Sequence, residues 1–298
     1  MTTLAADVQE FVATLPAPLD QDTYHLHRRG IHDDPEIAVY VNAAEDFAFL
    51  YPQPASDYVA YQPRFEQLGL AAYRKTAQVA ERRFEKVGPY LKGAASMLEI
   101  GAADGAFLEV VRRANPELTL ACLETDRRTK ASRDRLTSVR QYASFDEVIA
   151  DGRRFDVVGF FHVLEHIVNP AEFLARCRAV LAPGGLVIIE VPSLDEPLLR
   201  LYRVPEYAAF FFQAQHPYVY SARSLRRVLE AHGFTVQATV PHQRYGLENH
   251  LTWLAERRPG GDERLRTVFA PLDEGYRHRL ESEGLADAVI VVAQAKAR

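Results

Sequence analysis

An α/β fold built on a mainly parallel sheet is what this sequence predicts, and three observations predict it. From about residue 95 onwards, short β-rich runs alternate with helical patterns. The runs at 96–100, 118–123, 139–142, 155–161, 186–191, 234–240 and 288–293 are apolar almost throughout, as strands covered on both faces are. A glycine-rich turn follows the first run and opens a helix.

The helices between the runs have recognisable boundaries. Pro170 suits the first turn of a helix whose inner face is Phe173, Leu174, Cys177, Val180 and Leu181, and Pro183-Gly184-Gly185 then turns the chain into the next strand. Ser221 or Ser224 caps a helix carrying Leu225, Val228 and Leu229, with Gly233 as its stop. Towards the C-terminus Leu265, Val268, Phe269, Leu272, Tyr276 and Leu280 fall at helical spacing, and Pro271 is expected to split them into two pieces. Residues 1–75 differ in character. They open on an amphipathic helix with Leu4, Val8, Phe11 and Leu15 on one face, then hold many tyrosines and the breakers Pro52, Pro54 and Pro63. They are read as a helical and irregular cap. A helix from about residue 76 to 91 leads from the cap into a core domain spanning 76–298. A lid of about 195–222 interrupts that domain. Its rings Tyr202, Tyr207, Phe210, Phe211 and Phe212 either wall a ligand site or fill core, and core is expected for most.

Bulk properties narrow the function. The 298 residues are 48% apolar and 25% charged, ordinary for a soluble globular chain. No stretch is apolar enough to span a bilayer, and the first residues lack the basic start and apolar run of a signal peptide. A net charge of -5 gives no help in binding a polyanion, so neither nucleic acid nor a membrane is the expected partner. Two distant cysteines outside any C-x-x-C pair suit a cytoplasmic setting. Nothing sets the oligomeric state, and a homodimer is compatible with the sequence.

The turn itself reads Met97-Leu-Glu99-Ile-Gly101-Ala-Ala103-Asp-Gly105. Small residues let a ligand approach the backbone, and the helix that follows offers free N–H groups. Glu124, at the end of the next strand, is placed to accept hydrogen bonds from both hydroxyls of a ribose, the logic of a nucleotide site. A purely structural βα turn is the competing reading.

Three segments together resemble the class I S-adenosylmethionine-dependent methyltransferases. They are Glu99-x-Gly101-x-Ala103-x-Gly105, with Ala103 where that family commonly has glycine; Asp156 to Ile167, with His162-Val-Leu-Glu165-His166; and Leu181 to Pro192. The resemblance covers roughly 76–298. It implies a Rossmann-like, doubly wound, seven-stranded sheet with its last strand antiparallel, and S-adenosyl-L-methionine as cofactor. It also implies roles. Glu99 and Gly101 would lie near the methionine part of the cofactor, Ala103 and Gly105 would belong to the same cofactor-binding turn, and Glu124 would hold the ribose. Ser144 and Phe145 would lie near the adenine, and Phe161, His162 and Val163 would form the wall near the sulfonium.

His162-x-x-Glu165-His166 also fits H-x-x-E-H, a zinc-protease pattern. The motif directly follows an apolar strand, so no metal is expected, and Glu165 and His166 are read as structural. Two later segments bear on the acceptor. His216-Pro-Tyr218-Val-Tyr220-Ser221 is similar to a stretch of the sugar C-methyltransferases in which His216 matches a proposed base. Gln215 and Ala214 replace that family's Glu and first His, and its zinc-binding cysteines are missing. His216 is therefore a candidate base, with His162 beside it, and Tyr220 a candidate substrate contact; a polar loop histidine is the alternative for His216. His242, Arg244, Asn249 and His250 follow the sixth strand and look like recognition of a hydroxyl-rich or anionic small molecule; a loop with a helix cap at Asn249 is the alternative. A similar segment occurs in methyltransferases of surface-sugar and secondary-metabolite pathways. The expected activity is O-methylation of a small polar acceptor, a sugar or sugar nucleotide. An aromatic or polyketide metabolite is the second expectation. The third is a protein that binds the cofactor as a sensor, or cyclises it or releases methylthioadenosine from it without transferring a methyl group.

Overall fold

A computed structural model of the chain describes residues 4–54 and 77–297. Pro63 and the proposed helix start at Thr76 lie outside the described residues. In chain order, helix α1 (Ala6–Val12) precedes strands β1 (Tyr24–Arg29), β2 (Ala38–Asn42) and β3 (Phe47–Tyr51). Then come α2 (Ala77–Val87), β4 (Ser96–Ile100), α3 (Ala106–Ala114), β5 (Thr119–Leu123), α4 (Lys130–Arg133), β6 (Val139–Tyr142), α5 (Phe145–Ala150) and β7 (Phe155–Phe161). The second half holds α6 (Pro170–Val180), β8 (Leu181–Pro192), α7 (Pro197–Arg200), α8 (Pro205–Phe211), β9 (Tyr218–Tyr220) and α9 (Ala222–Ala231). It ends with β10 (Phe234–His242), α10 (Leu247–Glu256), α11 (Glu263–Ser282) and β11 (Ala288–Ala295).

Seven of the described strands pair in the order β10-β11-β8-β7-β4-β5-β6. β4 to β8 are parallel neighbours, while β11 runs antiparallel to both β8 and β10. This is the doubly wound sheet with an antiparallel last strand. The uniform apolarity of its strands has the expected cause. Leu98, Val187 and Ile189 face one core with α6 and α9, whereas Met97, Leu120 and Ile188 face another with α2 and α3. The caps also follow the sequence. Asn169 caps α6 ahead of Pro170, Ser221 and Ser224 form a capping box on α9, and Gly233 (φ +85) follows that helix. Pro183-Gly184-Gly185 is not a free turn between elements. It bulges inside β8, between Leu181 paired with Phe155 and Leu186 paired with Val157.

The N-terminal segment corrects the expectation of a helical and irregular cap. β1, β2 and β3 form an antiparallel sheet completed by β9. Val39-Tyr-Val41 and Phe47–Tyr51 carry β-branched and aromatic residues around a short turn, a strand signal that the prolines and histidines nearby obscure. One face of this sheet packs Ile31, Val39, Val41 and Leu50 against the lid rings Tyr207, Phe211 and Phe212 and against Trp253, so those rings fill core. Among the described residues no helix is long and apolar enough to cross a membrane.

The C-terminal pattern also departs from expectation. α11 runs unbroken through Pro271, and Val268 and Leu272 on it are exposed while Leu280 is buried. Proline inside a helix removes one backbone hydrogen bond and crowds the preceding turn. Replacing Pro271 with alanine should therefore raise stability by about 2 kcal/mol, read as a higher urea midpoint; an unchanged or lower midpoint would mean that the helix is already relaxed around the ring.

Candidate functional site

The loops after β4, β5 and β7 converge at the C-terminal ends of the parallel strands, where open α/β sheets bind ligands. Gly101 (φ +75) leads the chain out of β4 and donates its N–H to the carbonyl of Leu123 at 2.8 Å. A Cβ at this position would lie 2.5 Å from Cγ2 of Val163, so only glycine fits between the turn and the loop after β7. Ala103 adopts φ +48, a region that costs a non-glycine residue about 1–2 kcal/mol. Two contacts hold it there. Its N–H donates to Glu124 Oε2 at 2.7 Å, and its carbonyl accepts from Arg133 Nη1 at 2.5 Å. Glu124 Oε1 accepts the N–H of Asp126 at 2.7 Å. The acid read as the ribose acceptor thus pins the turn to its own loop, and its carboxylate has further lone pairs to offer.

Glu99 lies beneath this turn, 3% exposed, and its Oε2 has no hydrogen-bond partner among the described residues. Burial pushes its carboxyl up to about 8; Arg83 opposes the shift, while Glu124 and Asp104 add to it. Ser144 caps α5 by accepting the N–H of Glu147, and Phe145 sets its ring edge-on to Phe173 and under Arg176. Phe161 packs edge-on to Phe107 and lies under the guanidinium of Arg83.

His162 opens the loop after β7 at φ +57 and donates its N–H to the carbonyl of Glu190 at 2.8 Å. Its Nε2 is 2.6 Å from Nη1 of Arg244. A guanidinium only donates, so Nε2 accepts and Nδ1–H donates to Glu165 Oε1 at 3.1 Å. Both nitrogens of His162 are therefore occupied, which leaves it ill placed to serve as the base.

Behind His162 lies a buried charge network that the sequence reading did not anticipate. Glu190, fully buried in β8, accepts from Arg83 Nε at 2.5 Å and from His242 Nδ1 at 3.0 Å. Burial works to raise its pKa, but Arg83, His242 and His162 hold it well below the ordinary carboxylate range. Arg244 pairs with Asp287 through Nε at 2.6 Å, and Arg82 donates to the carbonyl of Arg244 at 2.9 Å. The signal was present in Leu-Val-Ile-Ile-Glu190-Val, an acid inside an otherwise apolar run.

This network corrects the reading of the cluster after the sixth strand. His242, Asn249 and His250 are all buried, at most 8% exposed, with His242 and His250 bonded to other side chains of the fold. Asn249 sits inside α10, whose start is held by Leu247 N–H on Asp273, so it is no cap. His250 Nδ1 meets the hydroxyl of Tyr276 at 2.5 Å, and burial lowers its pKa to about 4. Arg244 alone of the four is partly exposed, at 22% of its side chain. Tyr220 is wholly buried against Phe47, a core position in place of the expected substrate contact.

His216 differs from these. It is partly exposed, and its ring lies 4.8 Å from that of His166. With Glu165 the two histidines bring one donor atom each within 4.8 Å of one another. Val163, packed on Gly101, is two residues before Glu165 in the chain.

Residues 71–239 match a family described as a methyltransferase domain. The chain is similar to ubiquinone biosynthesis O-methyltransferases. It is 32% identical over 115 residues to that of Caulobacter sp. (strain K31), covering 36% of this chain and 45% of the relative. It is 30% identical over 96 residues to that of Roseobacter denitrificans (strain ATCC 33942 / OCh 114), covering 31% and 39%. The chain thus spans less than half the length of the curated relatives it matches. Among solved structures, a SAM-dependent methyltransferase from Archaeoglobus fulgidus superposes with a TM-score of 0.52 at 19% identity, over 80% of this chain and all of that one. The plantazolicin methyltransferase BpumL in complex with SAH gives 0.55 at 12% identity, over 81% and 94%. At these identities the structures speak for the fold.

Glu190 anchors two basic side chains, Arg83 and His242, with no exposure to water. Glu190→Ala should destabilise the protein by about 3–5 kcal/mol, because it leaves Arg83 and His242 uncompensated; a chemical-denaturation loss under about 1 kcal/mol would show that the network contributes little to the fold.

Proposed function

The chain belongs to the methyltransferase domain family, with the class I S-adenosylmethionine-dependent fold, and on that premise we propose that it O-methylates a small hydroxyl-bearing acceptor. The observation that carries the reading is the buried carboxylate of Glu99 beside the left-handed turn at Gly101. Its Oε2 is buried with no hydrogen-bond partner among the described residues. This suits S-adenosyl-L-methionine by offering an acceptor for the ammonium of its methionine end. Bound there, the cofactor supplies a methyl group already activated by a positive sulfur.

The rest is done by this chain's own residues. Glu124 takes the ribose hydroxyls, Ser144 and Phe145 border the adenine, and Val163 walls the turn. What remains is to orient the acceptor and remove its proton. Of the histidines considered, His162 is committed to Arg244 and Glu165, and His242 and His250 are buried, so the task falls to His216. The O-methyltransferase names of the relatives favour oxygen as the acceptor atom. A sugar or sugar nucleotide is the first acceptor class to screen. A phenolic metabolite is the second, favoured by the ubiquinone biosynthesis enzymes among those relatives. The free, buried Cys122 and Cys177 suit a cytoplasmic setting.

Two outcomes test this reading. At pH 6.5 the empty site holds Glu99 protonated, since its pKa is raised to about 8. A cationic ligand favours the ionised carboxylate, so S-adenosylhomocysteine should displace about one proton and bind more tightly as pH rises from 6 to 8, with no further gain above that. Calorimetry in buffers of different ionisation enthalpy reads this directly; Glu99→Gln should abolish the release, and a pH-independent affinity in the wild type would remove Glu99 from the site. His216→Ala should lower turnover of a hydroxyl acceptor by about 10²–10⁴-fold and leave S-adenosylhomocysteine affinity nearly unchanged. Near-normal turnover would exclude His216, and methylthioadenosine formed from the cofactor alone would mean that the protein is no methyltransferase.

A further inference from the structure

The loop after β7 contains a donor set that methyl transfer by the cofactor does not require. We infer that Glu165, His166 and His216 form a binding site for one divalent transition-metal cation of the zinc class. Three observations support this. One donor atom from each residue lies within 4.8 Å of the others, across a sequence gap of 50 residues between His166 and His216. The ring of His166 is already set for a ligand: Nδ1–H donates to the carbonyl of Gln215 at 2.7 Å, which makes Nε2 the lone-pair nitrogen. Metal-binding histidines are oriented by this kind of backbone contact. Glu165 is 2% exposed, and while Oε1 takes the Nδ1–H of His162, Oε2 is buried with no hydrogen-bond partner among the described residues. A buried carboxylate oxygen without a partner is costly, and a cation would satisfy it.

The chemistry of the donors selects the ion. Two imidazoles and one carboxylate suit zinc and its neighbours, and three protein ligands leave a coordination position open; magnesium and calcium prefer oxygen alone. Tetrahedral zinc bonds of about 2.0–2.1 Å put ligand atoms roughly 3.3 Å apart. The cluster must therefore close by up to about 1.5 Å, and the partly exposed His216 is the side chain with room to do so. The H-x-x-E-H pattern misidentified the set. His162 is drawn off to Arg244, and the second histidine comes from the segment before β9.

The role of such an ion rests on the methyl-transfer reading. With the ion bound, an acceptor hydroxyl in the open position would have its pKa lowered and lose its proton to water, the step that His216 takes as base when no ion is present.

The full-length protein, stripped with a chelator and dialysed, is titrated with zinc chloride by calorimetry and loaded with Co²⁺ for visible spectroscopy. The expected result is one zinc per chain and a cobalt spectrum with visible bands. His216→Ala and Glu165→Gln should each weaken zinc binding roughly 100-fold or more, while His278→Ala, an exposed histidine far along the chain, should leave it unchanged. Circular dichroism confirms that each variant is folded, and His216→Ala serves if the buried Glu165→Gln does not fold. No zinc uptake by the wild type, or equal uptake by wild type and His216→Ala, would overturn the site. Titration of the same preparation with S-adenosylhomocysteine keeps the two readings apart: binding of that ligand without zinc defeats the metal site alone, and binding of zinc without that ligand defeats the methyl-transfer reading alone.

Discussion

Everything at the C-terminal end of the sheet depends on one steric constraint, the approach of Val163 to the backbone at Gly101. The two residues belong to loops that follow neighbouring parallel strands, and a single Cβ at Gly101 would come within 2.5 Å of Val163 Cγ2. That contact fixes where the loop after β7 begins. It therefore fixes His162, Glu165 and His166, which lie within three residues of Val163. The turn pays for this closeness with left-handed backbone at Gly101, Ala103 and Gly105. Glu124 and Arg133 hold Ala103 in place from both sides.

A second, charged layer supports the first from behind. Glu190 in β8 gathers Arg83 from α2 and His242 from β10, and its carbonyl accepts the N–H of His162 from the loop after β7. Arg244 and Asp287 extend it towards β11. The network joins four elements distant in sequence and commits His162 to a positioning role. Its consequence for chemistry is subtractive: His162, His242 and His250, which a sequence scan offers as bases or substrate contacts, are engaged or buried within the fold.

The fold was largely legible because uniform apolar runs, helix caps and a glycine turn are local signals. β4, β6 and β7 fall on the runs identified from the sequence, and Asn169-Pro170 and Ser221 mark true helix starts. What was missed is non-local. The β1–β3 sheet closes through β9, nearly 170 residues from β3, so no single window carries its pattern. Pro271 was overweighted because local geometry disfavours it, yet α11 continues past it. At the site, Gly101 and Glu124 were readable from spacing. The inward turn of His242 and His250 was not, because their partners Glu190 and Tyr276 lie 52 and 26 residues away. The same distance hid the join between His216 and His166.

The central claim is that the turn at Gly101 and the acid at Glu124 together hold a nucleoside ligand. Titration calorimetry of S-adenosylhomocysteine into wild type and Glu124→Ala, both checked for fold by circular dichroism, tests it most directly. The wild type should bind one ligand per chain. The variant should lose about 1.5–3 kcal/mol of binding for each charge-assisted hydrogen bond removed, or roughly 10–100-fold in affinity. A folded variant with an unchanged dissociation constant, or a wild type that binds nothing, would contradict the account.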